Sequence, residues 1–307
     1  MDDILLTAAL RQRGLDDRDL LRLQRQGELT RVRRGAYAAT AAEPLSLIDQ
    51  HRQLIRATVP QLAPGAVISH GSAAVLHGLP FWPDAVQRVH VTRNRSTGAK
   101  RRSLVEVHGA ALGPNALTVI DGVTTTSLTR TVLDLGRTWA FEQAVAAGDR
   151  ALAQGLDRDD LVAAAGEMDH WRGIRQARRV IGFLDGRSES AGESVSRVRL
   201  ADDGLPPPDL QTEVFGPDGR LLARLDFCWE EEQTIGEFDG KIKYGRLLRP
   251  GQRIEDVIYA EKQREDALRD LGWQVVRWLW ADLYRPGVIR DRVLRAFARA
   301  GHHRHTA

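Results

Sequence analysis

The sequence predicts an α/β protein of more than one domain, with a helix–helix–ribbon front, an α/β middle and a back built around a strand hairpin. Three observations carry this. At 307 residues the chain is long enough for ~2 or 3 domains and can bury a substantial core. Segments with helical and strand spacing alternate along it. The charge is blocked rather than mixed: net charge is only +3, yet Arg11 to Arg34 holds eight arginines against four acids. Arg93 to Arg102 adds five basic residues and no acid. Basic stretches beside helices suit contact with a polyanion.

Composition removes several classes. Hydrophobic content of 42% and charged content of 28% are ordinary for a soluble globular protein. A single cysteine, Cys228, excludes an internal disulfide and any cysteine-built zinc site, and fits a cytoplasmic protein. No apolar run is long enough to span a bilayer. The start, MDDILLTAALRQRG, lacks the cationic and apolar blocks of a signal peptide.

Residues 1–45 read as a winged helix-turn-helix. Leu5 to Leu10 suits a helix and Gly14 breaks it. Asp16 or Asp17 can cap a second helix, Arg18 to Gln26, whose apolar side is Leu20, Leu21 and Leu23. LTRVRRGAY, Leu29 to Tyr37, alternates like a strand, with Gly35 for a tight turn. The second helix would enter a major groove through Arg18, Arg22 and Arg25. Arg31, Arg33 and Arg34 on the wing would neutralise phosphates.

Residues 46–185 form the middle. Helices are expected over His51–Val59 and Ser72–His77, and strands over Val86–Thr92, Leu104–His108 and Leu117–Val123, the last with an Asp121-Gly122 turn signal. Ser127 can cap a helix from Leu128 to Gly136. Helices Phe141–Ala153, Asp160–Met168 and Trp171–Leu184 follow. The patterns ISHGSAAVLHGLPFW, VHVTR and TTTSLTRTVLDLGR, with LTRVRRGAY before them, resemble the AbiEi-type antitoxins. That resemblance covers about residues 1–155. It implies a DNA-binding autoregulator that works beside a nucleotidyltransferase toxin. His70 and His77 could face one side of a helix, and a packing or capping role outweighs a ligand role for both.

Residues 186–307 make the back. Ser188 is placed to cap a helix carrying Glu193. Leu210–Phe215, Leu221–Trp229 and Thr234–Asp239 read as strands, and Glu230, Glu231 and Glu232 as an exposed turn. The hairpin would bring Asp226 close to Glu237 and Asp239, with Lys241 on the same face. Gathered carboxylates repel, so a cation between them is expected. Oxygen ligands suit Mg²⁺ (or Mn²⁺), which can activate a water against a phosphodiester. The helix Ile254–Leu271, the strand Trp273–Trp278 and the helix Val288–Ala300 complete the order. RLLRPGQR, Arg246 to Arg253, would approach a phosphate.

This stretch resembles the PD-(D/E)XK nucleases, closest to the very-short-patch-repair branch, over about residues 187–300. Asp226 and Glu237 match its acids, and Glu193 matches the upstream helix acid, which implies a metal role for all three. Asp239 stands where the pattern has lysine, and Lys241, two residues on, would take the catalytic lysine's part and assist the attacking water or the phosphate. The resemblance implies a restriction-endonuclease-like α-β-β-β-α-β core. Three functions follow: a Mg²⁺-dependent endonuclease with its own DNA-binding module, an antitoxin-like regulator whose nuclease fold has lost catalysis, or a nuclease fold kept as a protein-interaction module. The tryptophans Trp273, Trp278 and Trp280 read as core, and HHRHTA as a disordered tail.

Overall fold

The computed structural model describes residues 4–94, 100–101, 104–240 and 254–306. The chain divides into two compact units, 1–147 with 155–183, and 148–154 with 184–307.

The first unit opens with β1 (Leu5–Leu6), α1 (Thr7–Gln12), α2 (Asp17–Arg25), β2 (Leu29–Arg33) and β3 (Ala36–Ala39). Leu5 and Leu6, expected in a helix, instead add an edge strand to β3. The α2 start is a capping box. The Asp16 carboxylate accepts from the Arg18 and Asp19 amides at 2.7 and 2.9 Å, and Asp19 accepts from the Asp16 amide at 3.1 Å. Gly35, at φ +83°, closes the β2–β3 ribbon.

The ribbon is not a plain alternation. Arg31 pairs with Tyr37, but Arg33 pairs with Ala36, so Val32 is an extra residue. Such a bulge reverses the side-chain face beyond it. Tyr37 and Ala36 point to opposite faces, and so do Arg31 and Arg33.

Next come α3 (Leu47–Thr58), β4 (Ala66–Ile68), α4 (His70–Leu76), β5 (Val89–Arg93), β6 (Lys100–Arg101), β7 (Val105–Gly109), β8 (Leu117–Ile120) and β9 (Val123–Thr126). They build a mixed sheet in the order β6-β7-β5-β4-β9-β8. Ile68, Val89, Val91 and Val123 pack with Ile55 of α3 into its core. Leu117–Val123, expected as one strand, is a hairpin that turns at Asp121 (φ +49°) and Gly122 (φ +76°). Two successive positive φ values are what the Asp-Gly pair supplies.

α5 (Leu128–Thr138) starts on Ser127, whose hydroxyl accepts from the Arg130 amide at 3.3 Å. α6 (Phe141–Ala153), α7 (Arg158–Gly166) and α8 (Ile174–Phe183) follow. On α5 the fully buried Asp134 holds Arg130 at 2.9 Å and Arg137 at 2.8 Å. Both guanidiniums also lie 4.8 Å from the centre of the Trp171 ring.

The second unit takes the last turns of α6, then α9 (Ala191–Asp202), β10 (Asp209–Phe215), β11 (Leu221–Trp229), β12 (Thr234–Phe238), α10 (Ile254–Asp270), β13 (Gln274–Trp278), α11 (Trp280–Leu283) and α12 (Val288–Thr306). The sheet order is β10-β11-β12-β13; the first three strands are antiparallel and β13 runs parallel to β12. Ser190, not Ser188, caps α9: its hydroxyl accepts from the Glu193 amide at 3.2 Å. Two residues decide this, because a cap must sit directly before the first helical residue. A side chain at Gly192 would collide with the Phe238 ring, so glycine lets α9 lie against β12.

Phe227 and Trp278 fill one side of the sheet, and the Trp278 indole donates to Ser196 Oγ at 2.8 Å. Ala223, Leu225, Ile235 and Leu268 form the core beneath α10. Asp149, at the α6 end, is buried and binds Arg197 at 2.7 Å and the Asp185 amide at 2.7 Å. The HHRH run, expected as a loose tail, belongs to α12. Among the described residues no helix is long and apolar enough to cross a membrane.

Candidate functional site

The front of the first unit carries an exposed basic surface. Arg18, Arg22 and Arg25 stand at i, i+4 and i+7 on α2, one stripe of the helix, and all three are exposed. Leu20, on the other side, is buried. Arg22 pairs with Asp19 at 2.9 Å, but the Arg22 side chain keeps 62% of its exposure. Such a surface pair is weak and is readily exchanged for a phosphate. Arg31 and Arg34 of the ribbon are exposed as well.

Arg33 is a correction. The bulge turns it inward, where Nη1 donates to Thr58 Oγ1 at 2.6 Å. Burial pulls its pKa down. It braces β2 against α3 rather than presenting charge outward.

The acids of the second unit are close in the fold but occupied. Phe227 pairs with Gly236, so Asp226 and Glu237 follow one another just past that pair. Asp226 Oδ2 accepts from the Phe238 amide at 2.9 Å. Glu237 takes Arg264 on one oxygen and Arg277 on the other, each at 2.7 Å. Those arginines also hold Glu261, each at 2.6 Å, and Arg277 holds Glu265 at 2.7 Å. Bonds to Glu261 and Glu237 push the Arg264 pKa up against its burial. Glu193 accepts from the Glu189 amide, the Ser190 hydroxyl and the Gln211 amide group at 2.8, 2.8 and 3.0 Å. The Asp239 amide donates to Trp278 O at 2.9 Å.

This donor set does not fit Mg²⁺. A magnesium ion needs carboxylate oxygens turned to one point. Here both Glu237 oxygens carry guanidinium N–H groups, and both Glu193 oxygens accept from its own helix start or from Gln211. Among the described residues, Asp226, Glu237, Asp239 and Glu193 make no group of three with oxygens within 4.8 Å of one another. Lys241 and the basic loop 246–253 lie outside the described residues.

The middle sheet holds a cluster that the sequence reading missed. His90 on β5 pairs in register with Glu106 on β7, and Thr92 with His108. His90, Glu106 and His108 therefore share one face. His90 Nδ1 lies 3.0 Å from His108 Nε2. His70 stacks on His108 with ring centres 3.7 Å apart. Its φ of +50° is the left-handed region, which a non-glycine residue enters at a cost of ~1–2 kcal/mol. Burial, and then the rings of His108 and His90, hold its pKa well below the ordinary value. His77 plays a structural part, with Nε2 2.8 Å from Thr126 O.

Residues 2–40 match the model of a family described as transcriptional regulator, AbiEi antitoxin. Over 279 residues the chain is 29% identical to the uncharacterized proteins MT2308 and Rv2248 of Mycobacterium tuberculosis, strains CDC 1551 / Oshkosh and ATCC 25618 / H37Rv. That alignment covers 90% of this chain and 95% of each relative. Among solved structures, the crystal structure of RV2827C protein from Mycobacterium tuberculosis covers 70% of this chain and 84% of its own, at 16% identity and a TM-score of 0.40. The family match covers the helix–helix–ribbon front of the first unit and stops there.

Proposed function

We propose that this chain is a DNA-binding transcriptional regulator of the antitoxin type, with no hydrolytic step of its own. Residues 4–40 act as the winged helix-turn-helix. α2 lies in a major groove with Arg18, Arg22 and Arg25 toward the bases, and Arg31 and Arg34 meet the flanking phosphates. The observation that carries this is the exposed arginine stripe on a capped helix, in the same stretch that matches the regulator family. The partners are DNA and, by analogy with that family, a cognate toxin.

Among the described residues the second unit runs α-β-β-β-α-β, the order expected of a PD-(D/E)XK core. Its key acid is neutralised by two guanidiniums, which favours a retired nuclease fold over an active one. The test is fluorescence anisotropy on duplex DNA from upstream of the chain's own coding sequence, against a scrambled duplex. Tighter binding to the upstream duplex is expected, weakening steeply with salt. Equal, salt-insensitive binding would remove the reading. Incubation of plasmid with Mg²⁺ or Mn²⁺ should give no cleavage. Cleavage that Asp226→Ala abolishes would restore the enzyme.

A further inference from the structure

We propose that His90, Glu106 and His108 form a binding site for one Zn²⁺ ion in the first unit, an inference independent of DNA binding. The ligating atoms of the three side chains all lie within 4.8 Å of one another. Two imidazoles and one carboxylate are a donor set that zinc takes, with nitrogen at ~2.0–2.1 Å and a fourth position left for water or an anion. Two nitrogens on a tetrahedral ion stand roughly 3.3 Å apart by that geometry. The 3.0 Å between His90 Nδ1 and His108 Nε2 is within a few tenths of that value before any ion is placed.

The frame is rigid. All three residues project from paired strands, so backbone hydrogen bonds fix their spacing. The His90 amide donates to Ser72 Oγ at 2.9 Å, and that hydroxyl meets His51 Nε2 at 2.9 Å. Thr92 Oγ1 donates to Ser69 Oγ, which contacts His70 Nδ1 at 3.0 Å and so steadies the ring stacked on His108. These contacts fix the β5 backbone that carries His90 and the ring that stacks on His108.

Access is present. A cavity of about 480 Å³ opens on the cluster and is lined also by Arg88, Arg137 and Arg172. Positive charge there opposes a bare cation. One of these arginines, Arg137, is already held by Asp134 at 2.8 Å. With two neutral imidazoles and one carboxylate, the bound ion keeps a net positive charge, and the fourth ligand can be an anion that the arginines face.

The experiment uses the full chain, stripped with chelator, loaded with Zn²⁺ and desalted. Elemental analysis should find one zinc per chain, and Co²⁺ in its place should give the visible absorption of a tetrahedral site. His302, His303 and His305 are a competing source of binding. Replacing all three with Ala should leave the zinc content unchanged; loss of zinc would assign the metal to them and overturn the site. In that background Glu106→Gln, which keeps side-chain volume, and His108→Ala should each weaken binding by roughly tenfold or more, since even outer-contact losses cost that much. Circular dichroism of both variants checks folding. Unchanged affinity in folded Glu106→Gln and His108→Ala would also overturn it.

Discussion

On α2 of the first unit, Arg18, Arg22 and Arg25 extend into solvent, and the one acid paired with Arg22 at 2.9 Å leaves it 62% exposed. In the second unit, Arg264 and Arg277 are each bound by at least two carboxylates, and Glu237 between them is only 14% exposed. The residue type is the same and the environment opposite. An exposed arginine has little to lose by moving to a phosphate. An arginine bound to half-buried acids has its charge satisfied, and moving it would strand a carboxylate. The availability of charge, not the amount, separates a binding surface from a structural network.

Replacing the stripe should produce the largest effect. Arg18→Ala, Arg22→Ala and Arg25→Ala together should lower affinity for the upstream duplex about 1000-fold, at ~1–3 kcal/mol per groove contact, with folding stability unchanged within ~0.5 kcal/mol. A loss of stability as large as the loss of binding would erase the contrast between the two regions. Next comes Glu237→Ala, which takes one carboxylate from each of two guanidiniums and leaves both on Glu261. Urea denaturation should show a cost of ~2–4 kcal/mol, less than a fully buried pair because both arginines are partly exposed.

The pH response of the second unit sharpens the same point. Burial raises the Asp149 pKa from 3.8 to about 6, against the pull of Arg197. Between those values the folded chain keeps a proton that the unfolded chain releases. Stability from this group is therefore full below pH ~4 and falls as pH rises to ~6, by on the order of 3 kcal/mol. Asp149→Asn should remove that decline in urea titrations from pH 4 to 7; a slope equal to wild type would reject it. Arg33→Ala should cost ~1–2 kcal/mol of stability through the lost bond to Thr58, and little DNA affinity, unlike its neighbour Arg31. The smallest effect is at the α9 start: Ser190→Ala should cost ~1 kcal/mol in thermal unfolding and Ser188→Ala much less.

Long segments with a clear period were legible. Phe141–Ala153 and Leu221–Trp229 read from sequence with the bounds the structure has. β4, three residues long, carries too few positions to show a period. The stripe on α2 was legible because its spacing lies within one helix. The fate of Glu237 was not, since its partners Arg264 and Arg277 are 27 and 40 residues away. His90 and Glu106 were equally hidden. Only the parallel pairing of β5 with β7 makes them neighbours, and no local spacing announces that pairing.

The extra residue Val32 sets the parity of the ribbon. With it, two arginines separated by a single position serve different masters, one water and one the packing of α3. Were Val32 itself paired with Ala36, strict alternation would return and Arg33 would swing to the side of Arg31. The outer face would gain a cation, and Thr58 would lose its donor. One step in strand register thus decides how many positive charges the ribbon displays, without changing the number of arginines encoded.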